Sequence, residues 1–194
     1  MQEILAALRA VPVIAAVRGA EQLAGALESR VGVVFLLGGD PASLPGRVRA
    51  ALDAGKLAFV HMDLVEGFAH DAAGVRWLAR AVRPTGVLST RAPLLRAASE
   101  EGLLTVLRIF MVDSSSLATG VRMAKSCEPT LIEVMPGLAT RAIARLSRSV
   151  AQPVIAGGML EEAADVEAAL QAGALAASTS SRALWTRGGW NAEG

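Results

Sequence analysis

The chain has 194 residues, of which 53% are hydrophobic, and its formal net charge is +1. This length and apolar content predict one globular domain over residues 1–194 and exclude a disordered or fibrous protein. The small net charge gives no general attraction to nucleic acid. A lone cysteine, Cys127, excludes a disulfide framework and a cysteine cluster for zinc, and it indicates a reducing compartment.

Residues 1–11 are expected to begin the chain with an amphipathic helix. Their sequence lacks the basic start, the unbroken apolar core and the cleavage site of a signal peptide. No stretch approaches the ~20 apolar residues that a membrane span needs. We therefore expect a cytoplasmic protein that has no membrane partner.

Short apolar runs alternate with stretches of helical periodicity along the rest of the chain. The apolar runs are 13–17, 31–37, 57–62, 86–88, 104–109, 131–135, 153–159 and a last one that starts at 174. The helical stretches are 21–29, 44–54, 72–82, 92–101, 117–125, 138–150 and 161–172. Runs this continuously apolar are typical of parallel strands buried on both faces. The pattern predicts an α/β fold, a compact (β/α)8 TIM barrel, with an open doubly wound sheet as the rival topology.

The residues between these segments agree with this interpretation. Gly55, Gly102 and Gly173 each stand just past a helical stretch, where a left-handed C-cap is favoured. Asp71 and Asp113 are expected to be helix N-caps.

The last helix of the barrel is predicted to be short, because few residues follow the eighth strand. We expect this to leave the flank of the eighth and first strands bare, so that the N-terminal helix or a second subunit covers it. Trp185 and Trp190 lie in or beside the tail, 186–194, and an aromatic residue there suggests a contact. The sequence thus favours a homodimer.

Two loops have the composition of an anion site. Gly157 and Gly158 end the seventh strand and let the backbone approach a ligand closely. Hydroxyls and amides of residues 178–181 follow the eighth strand, and one helical turn after them would direct its positive end to the same place. In a (β/α)8 barrel this is the usual position of a phosphate.

Other polar residues lie near the ends of strands, where they would face the mouth of the barrel. They are Arg18, His61, Asp63, Arg91, Arg108 and Glu133. The three arginines would face three acids, Asp63, Asp113 and Glu133, in a pocket that would suit an anionic polyol, with arginine for the phosphate and carboxylates for the hydroxyls. The alternatives are that Arg108 and Glu133 form a structural ion pair in the lumen, and that His61 is a core histidine.

Catalytic and metal chemistry have little support in the sequence. Lys56 and Lys125, the only lysines, do not lie on strands, which disfavours a Schiff base. His61 and His70 are the only histidines, so no metal site is predicted. His61 with Asp63 could do acid/base work.

Several stretches together resemble the glycerol uptake operon antiterminator regulatory proteins. They are residues 60–67, 86–91, 108–114, 132–137, 155–159 and 178–180, with the Leu-Trp pair at 184–185. The resemblance runs from about residue 12 to residue 185. Residues 37–44, with Gly38 and Gly39, fit it only loosely.

This resemblance implies a cytoplasmic regulator with a TIM-barrel fold and no catalytic residues. Such a regulator responds to glycerol 3-phosphate, needs no other cofactor, and acts on the leader mRNA of glycerol-utilisation genes so that transcription passes a terminator. The resemblance places the phosphate on Gly157, Gly158, Thr179 and Ser180. It places Arg18, Asp63, Arg91 and Glu133 around the glycerol end.

The RNA surface is the part of this reading that the sequence supports least. Arg141, Arg145 and Arg148 form a basic stripe along one helix, which is either an RNA contact or a solvated face. Two alternatives to the RNA-binding regulator stay open. One is a TIM-barrel enzyme acting on a small phosphorylated metabolite, and the other is a phosphate-metabolite sensor with a protein partner.

Overall fold

The computed structural model of the protein describes residues 1–190, and the end of the predicted tail, 191–194, lies outside them. Eight parallel strands each pair with their neighbours in chain order, and β1 also pairs with β8. The strands are β1 Val13–Val17, β2 Val33–Leu36, β3 Leu57–His61, β4 Gly86–Ser89, β5 Leu104–Phe110, β6 Leu131–Met135, β7 Val154–Gly157 and β8 Ala176–Thr179. The predicted closed barrel is confirmed.

Helices lie between successive strands on the outside of the barrel, with a further helix before β1 and another after β8. They are α1 Gln2–Ala10, α2 Ala20–Glu28, α3 Leu44–Asp53, α4 Ala72–Trp77, α5 Ala92–Glu100, α6 Ser114–Cys127, α7 Thr140–Ser147, α8 Ala163–Gln171 and α9 Arg182–Thr186. The predicted caps are in place: Gly55, Gly102 and Gly173 have positive φ, and Asp71 and Asp113 accept hydrogen bonds from backbone N–H groups in the first turns of α4 and α6.

The stretch predicted as one helix over 72–82 changes its winding part-way. After α4 the chain forms a π-helical turn, Leu78–Val82, which ends at Arg83 with φ 55°. The N–H of Arg83 donates to the carbonyl of Leu78, five residues back, at 2.9 Å. Pro84 explains the ending, because the residue before a proline is disfavoured in the right-handed helical region.

Two apolar clusters hold the fold together. The larger one joins the outer face of the sheet to the helices, and the smaller one fills the lumen of the barrel. In the lumen the rings of Phe35 and Phe59 meet edge to face, with centroids 5.6 Å apart. Side chains at alternate positions along each strand therefore face the lumen, which directs the polar residues at the strand ends towards the mouth.

The N-terminal helix does not cover the flank of β8 and β1, so this alternative is wrong. Ile4 and Leu8 of α1 are fully buried in the lumen cluster. A Cβ on Gly32, just before β2, would lie 3.0 Å from the Cβ of Ala7. The helix thus closes the N-terminal end of the barrel, where an apolar stripe finds apolar lumen residues to contact.

The flank of β8 and β1 is covered by the short α9, so the expectation of a bare flank is wrong too. Leu184 and Trp185 are buried there, and the indole N–H of Trp185 donates to the carbonyl of Thr179 at 2.9 Å. The Arg182 guanidinium holds α9 on α2 through the side chain and the carbonyl of Glu21. One helical turn is enough because a tryptophan supplies the area that a longer helix would otherwise provide.

Candidate functional site

A cavity of about 250 Å³ opens at the C-terminal mouth of the barrel, between the ends of β1, β7 and β8. This volume is smaller than the ~300–1,000 Å³ of pockets for drug-sized ligands, so it suits a small metabolite. Its polar wall contains Arg18, Arg108, Gly158, Thr179 and Ser180, and its apolar wall contains Leu37, Leu64, Met135, Met159 and Leu160.

The loop after β7 has an unusual backbone. Gly158 has φ +75° and Met159 has φ 62°, so two successive residues occupy the left-handed region. A Cβ on Gly158 would lie 2.6 Å from the terminal methyl of Met135. Glycine is therefore favoured at 158 by its backbone conformation, whereas the Met135 methyl is the end of a flexible side chain that could move aside.

Thr179 connects this loop to the loop after β8. Its hydroxyl donates to the carbonyl of Leu160 at 2.6 Å and accepts from the N–H of Ser181 at 3.0 Å. Thr179 thus keeps the two predicted phosphate loops side by side. Ser180, the next residue, is exposed in the cavity wall.

A buried polar network forms the floor of the mouth. Arg108 and Glu133 are register partners on β5 and β6, and the Arg108 Nε donates to a Glu133 carboxylate oxygen at 2.6 Å. The other carboxylate oxygen accepts from the Ser178 hydroxyl. A Cβ on Gly157 would lie 2.5 Å from that carboxylate, so Gly157 makes room for the network. The ion pair that the sequence offered as one alternative is therefore present.

Asp63 lies across the mouth from the two loops, in a single 3-10 turn after β3. It accepts from the N–H of Thr90 at 2.7 Å and from the hydroxyls of Thr90 and Ser89, and the Arg91 Nε lies 3.5 Å away. Burial raises the pKa of Asp63, but these hydrogen bonds outweigh burial and hold the pKa below its ordinary value of 3.8. Asp63 is a carboxylate whose oxygens already have donors.

His61 is buried in the lumen beside this group. Its Nδ1 lies 4.0 Å from the nearer Asp63 oxygen, which is beyond hydrogen-bond distance, and within residues 1–190 it has no other partner. Burial and the charge of Arg108 lower the pKa of His61 to about 4, so the imidazole is neutral at neutral pH. The two side chains are not joined as an acid/base pair.

The predicted ligand residues are thus not all in the cavity wall. Arg18, Gly158, Thr179 and Ser180 line the cavity, and Gly157 stands directly beside its floor. Asp63 and Arg91 lie across the mouth outside the cavity wall, and Glu133 is fully buried beneath it.

Arg47 was missed by the sequence reasoning. It comes from α3, and its guanidinium donates to the carbonyls of Arg18 at 2.6 Å and of Gly38 at 3.1 Å. It thereby ties together the loops after β1 and β2. The signal was Gly38 with Gly39, whose φ values of 131° and 123° shape the loop around this side chain.

The chain was compared with known proteins. Residues 13–185 match the family described as glycerol-3-phosphate responsive antiterminator. The chain belongs to this antiterminator family. A glycerol uptake operon antiterminator regulatory protein from Listeria monocytogenes is 31% identical, with a TM-score of 0.85 over 89% of this chain and 94% of that one.

Two further relatives agree with this family. A glycerol uptake operon antiterminator-related protein from Thermotoga maritima is 28% identical, with a TM-score of 0.78 over 90% of this chain and 98% of that one. The uncharacterized protein YgcP of Escherichia coli is 33% identical over 94% of this chain and 96% of its own length. The resemblance found in the sequence motifs is confirmed.

In this family member the three arginines of the basic stripe, Arg141, Arg145 and Arg148, lie on α7 or at its end, and all three are exposed. Among the described residues none of them pairs with a carboxylate. The stripe therefore has the accessible positive charge that a phosphate contact requires.

Two features are absent from residues 1–190. No group of three or more His, Cys, Asp or Glu side chains there could hold a metal ion. No helix in the same range is both long and apolar enough to span a membrane.

Proposed function

We propose that the protein binds glycerol 3-phosphate in the mouth cavity and, in response, binds the leader mRNA of glycerol-utilisation genes in the cytoplasm. The observation that carries the effector part is the cavity itself. It brings Arg18, Gly158 and Ser180 together in a space of metabolite size, in a member of a glycerol-3-phosphate responsive family.

The phosphate is assigned to the loops after β7 and β8. At Gly158 the backbone has no side chain to keep an anion away, and Ser180 adds an exposed hydroxyl. Gly157 and Thr179 support this surface from behind. The arginines of the cavity wall, Arg18 and Arg108, contribute positive charge and several N–H donors, which suit a phosphate dianion.

The glycerol end is assigned to the remaining polar groups of the mouth. Arg18 lies in the same wall as the phosphate loops, and the Asp63–Arg91 pair lies across from it. Glu133 acts beneath the floor, where it holds Arg108 at the cavity surface. Hydroxyls of the ligand can accept from the arginines and donate to a carboxylate.

Calorimetric titration with glycerol 3-phosphate, glycerol and inorganic phosphate tests the effector. The variant is Gly158→Ala and its matched control is Gly55→Ala. Both positions have nearly the same φ, +75° and +72°, but an added Cβ has nothing within 4 Å at Gly55, which precedes β3 at the opposite end of the barrel. Both variants therefore have the backbone cost of a non-glycine residue, ~1–2 kcal/mol.

Selective binding of glycerol 3-phosphate that is lost in Gly158→Ala and kept in Gly55→Ala supports the assignment. Equal losses in both variants would mean that the loss comes from instability, which contradicts it. Turnover of a phosphorylated metabolite by the purified protein, abolished in Asp63→Asn, would favour an enzyme instead. A homodimer stays a prediction, which sedimentation velocity tests directly.

A further inference from the structure

Residues 114–152 are one of two basic stretches of the chain. The other, 72–99, has five arginines and no acidic residue, but two of these arginines, Arg80 and Arg91, lie within ion-pair distance of carboxylates. Residues 114–152 contain five cationic residues and two acidic ones, which leaves 14 basic and 16 acidic residues in the rest of the chain. Of the two acidic residues, Glu133 is fully buried and paired with Arg108. Glu128, just past α6, is the exposed one. A chain that is nearly neutral overall thus has a basic region in 114–152 in which the only exposed acidic residue is Glu128.

The five cations lie on two neighbouring helices. Arg122 and Lys125 belong to α6, and the other three are the stripe on α7. All five side chains are exposed, and α6 packs against α7 along the outside of the barrel. We call Arg122, Lys125, Arg141, Arg145 and Arg148 the α6–α7 surface. In the described part of the chain none of the five is within ion-pair distance of a carboxylate.

The segment that leads into α7 contacts the effector cavity. Met135, at the end of β6, lines the cavity, and its terminal methyl would lie 2.6 Å from a Cβ on Gly158. Two residues later, the N–H of Gly137 donates to the carbonyl of Gly158 at 3.0 Å. A Cβ on Gly137 would lie 2.9 Å from Leu160, which belongs to the same cavity wall.

The end of β6 also fixes the approach to α6. The carbonyl of Met135 accepts from the N–H of Met111 at 2.7 Å, and Met111 lies two residues before the N-cap Asp113. One short segment, 135–139, therefore contacts the proposed phosphate loop and borders the starts of both basic helices. A change in the conformation of Gly158 would reach α6 and α7 through it.

We propose that the α6–α7 surface binds the RNA phosphates, and that segment 135–139 adjusts this surface when glycerol 3-phosphate occupies the cavity. The inference rests on the proposed function and adds where the RNA lies and how the effector reaches it. Five phosphate contacts on single-stranded RNA predict a log–log salt slope of roughly −3 to −4.

The first test measures binding of a labelled leader transcript at several salt concentrations, with saturating glycerol 3-phosphate. The variant is Arg122→Gln/Lys125→Gln, and the control is Arg9→Gln/Arg76→Gln, which removes the same charge at exposed positions on α1 and α4. We expect the α6 variant to weaken binding by about 10-fold and to flatten the slope by about 1 to 2, with less than about a 2-fold change in the control. Equal effects in the two variants would overturn the proposal that the α6–α7 surface binds the RNA.

The second test measures the coupling, defined as the ratio of RNA dissociation constants without and with glycerol 3-phosphate. In the wild type we expect a ratio in the usual range of about 5 to 150. Gly137→Ala, which forces the segment away from Leu160, should bring the ratio close to 1, while Gly102→Ala, in a distant turn, should leave it unchanged. An unchanged ratio in Gly137→Ala would overturn the role of the segment.

Hydrogen exchange of the wild type answers the same question without a substitution. Effector binding should slow exchange over residues 136–143 as well as in the loops after β7 and β8. Slowing confined to those two loops would contradict the inference. A wild type that binds glycerol 3-phosphate but no leader RNA would instead remove the RNA half of the proposed function, and this inference with it.

Discussion

At the N-terminal end of the barrel, Ile4 and Leu8 of α1 fill the lumen with apolar side chains, whereas at the C-terminal end the lumen holds Arg108 and Glu133. The side chains at both ends are buried, but only those at the C-terminal end are charged. An apolar plug gains free energy from burial alone. A buried ion pair must recover a large desolvation cost through close geometry, which makes it sensitive to any change beside it.

This comparison separates what the two ends contribute to the molecule. A well-packed apolar floor would give the protein about as much net stability as this polar floor does. It does keep the Arg108 guanidinium at the cavity surface. The apolar end supplies stability, and the polar end holds charge where a small anion can meet it.

The largest effect is expected from removing one partner of the buried pair. Arg108→Met leaves the Glu133 carboxylate buried without its cation and should lower the free energy of unfolding by about 3–5 kcal/mol. Chemical denaturation measures it. Arg49→Met is the control, because Arg49 pairs with Asp53 at 2.8 Å on the exposed face of α3, where the loss should be about 0.5 kcal/mol or less. The double variant Arg108→Met/Glu133→Leu should be more stable than Arg108→Met alone, and a less stable double variant would contradict this account.

The next effect concerns the apolar end. Leu8→Ala creates a cavity beneath the lumen and should lower the free energy of unfolding by about 3 kcal/mol. Ligand affinity at the mouth should not change, since the apolar lumen separates the two ends. Denaturation and calorimetry on one preparation give both quantities. Weaker ligand binding in a folded Leu8→Ala would show that the two ends are not independent.

The two ends were not equally predictable from sequence. Eight strands, their order and the capping residues Asp71 and Asp113 follow from local patterns, since apolar runs and cap chemistry depend on near neighbours. The position of α1 does not. An apolar pair four residues apart, such as Ile4 and Leu8, fits a barrel flank and a barrel end equally well.

The candidate site shows the same limit. Gly158 and Ser180, which line the cavity, could be predicted as a candidate pair because turn and loop chemistry is local. Arg47 was missed because it reaches the site from a helix and bonds to backbone carbonyls. The local sign, Gly38 with Gly39, does not tell which side chain the loop surrounds. The unsatisfied Nδ1 of His61 was not foreseen either, because a difference of a few tenths of an ångström from Asp63 decides it.

A somewhat smaller effect is expected from pH. The pKa of His61 is about 4 in the folded protein and its ordinary value is 6.5, so between these values the unfolded chain binds a proton that the folded protein does not. The contribution of neutral His61 to the free energy of unfolding is therefore fully present above pH 6.5. It is lost as the pH falls towards 4, and the loss is at most about 3 kcal/mol. Urea unfolding at pH 7 and pH 4.5 should show a larger loss in the wild type than in His61→Gln. Equal losses would mean that His61 titrates normally.

The smallest effect is expected at a helix start on the rim of the mouth. The Asp71 carboxylate accepts from the N–H of Gly74 at 2.9 Å and caps α4. Asp71→Ala leaves that N–H to water and should lower the free energy of unfolding by about 1 kcal/mol, while Asp71→Asn, which can still accept, should change it by a few tenths. Thermal unfolding of both variants measures the difference. If Asn costs as much as Ala, the charge of Asp71 matters rather than the cap, and the rim then resembles the charged floor more than the apolar end.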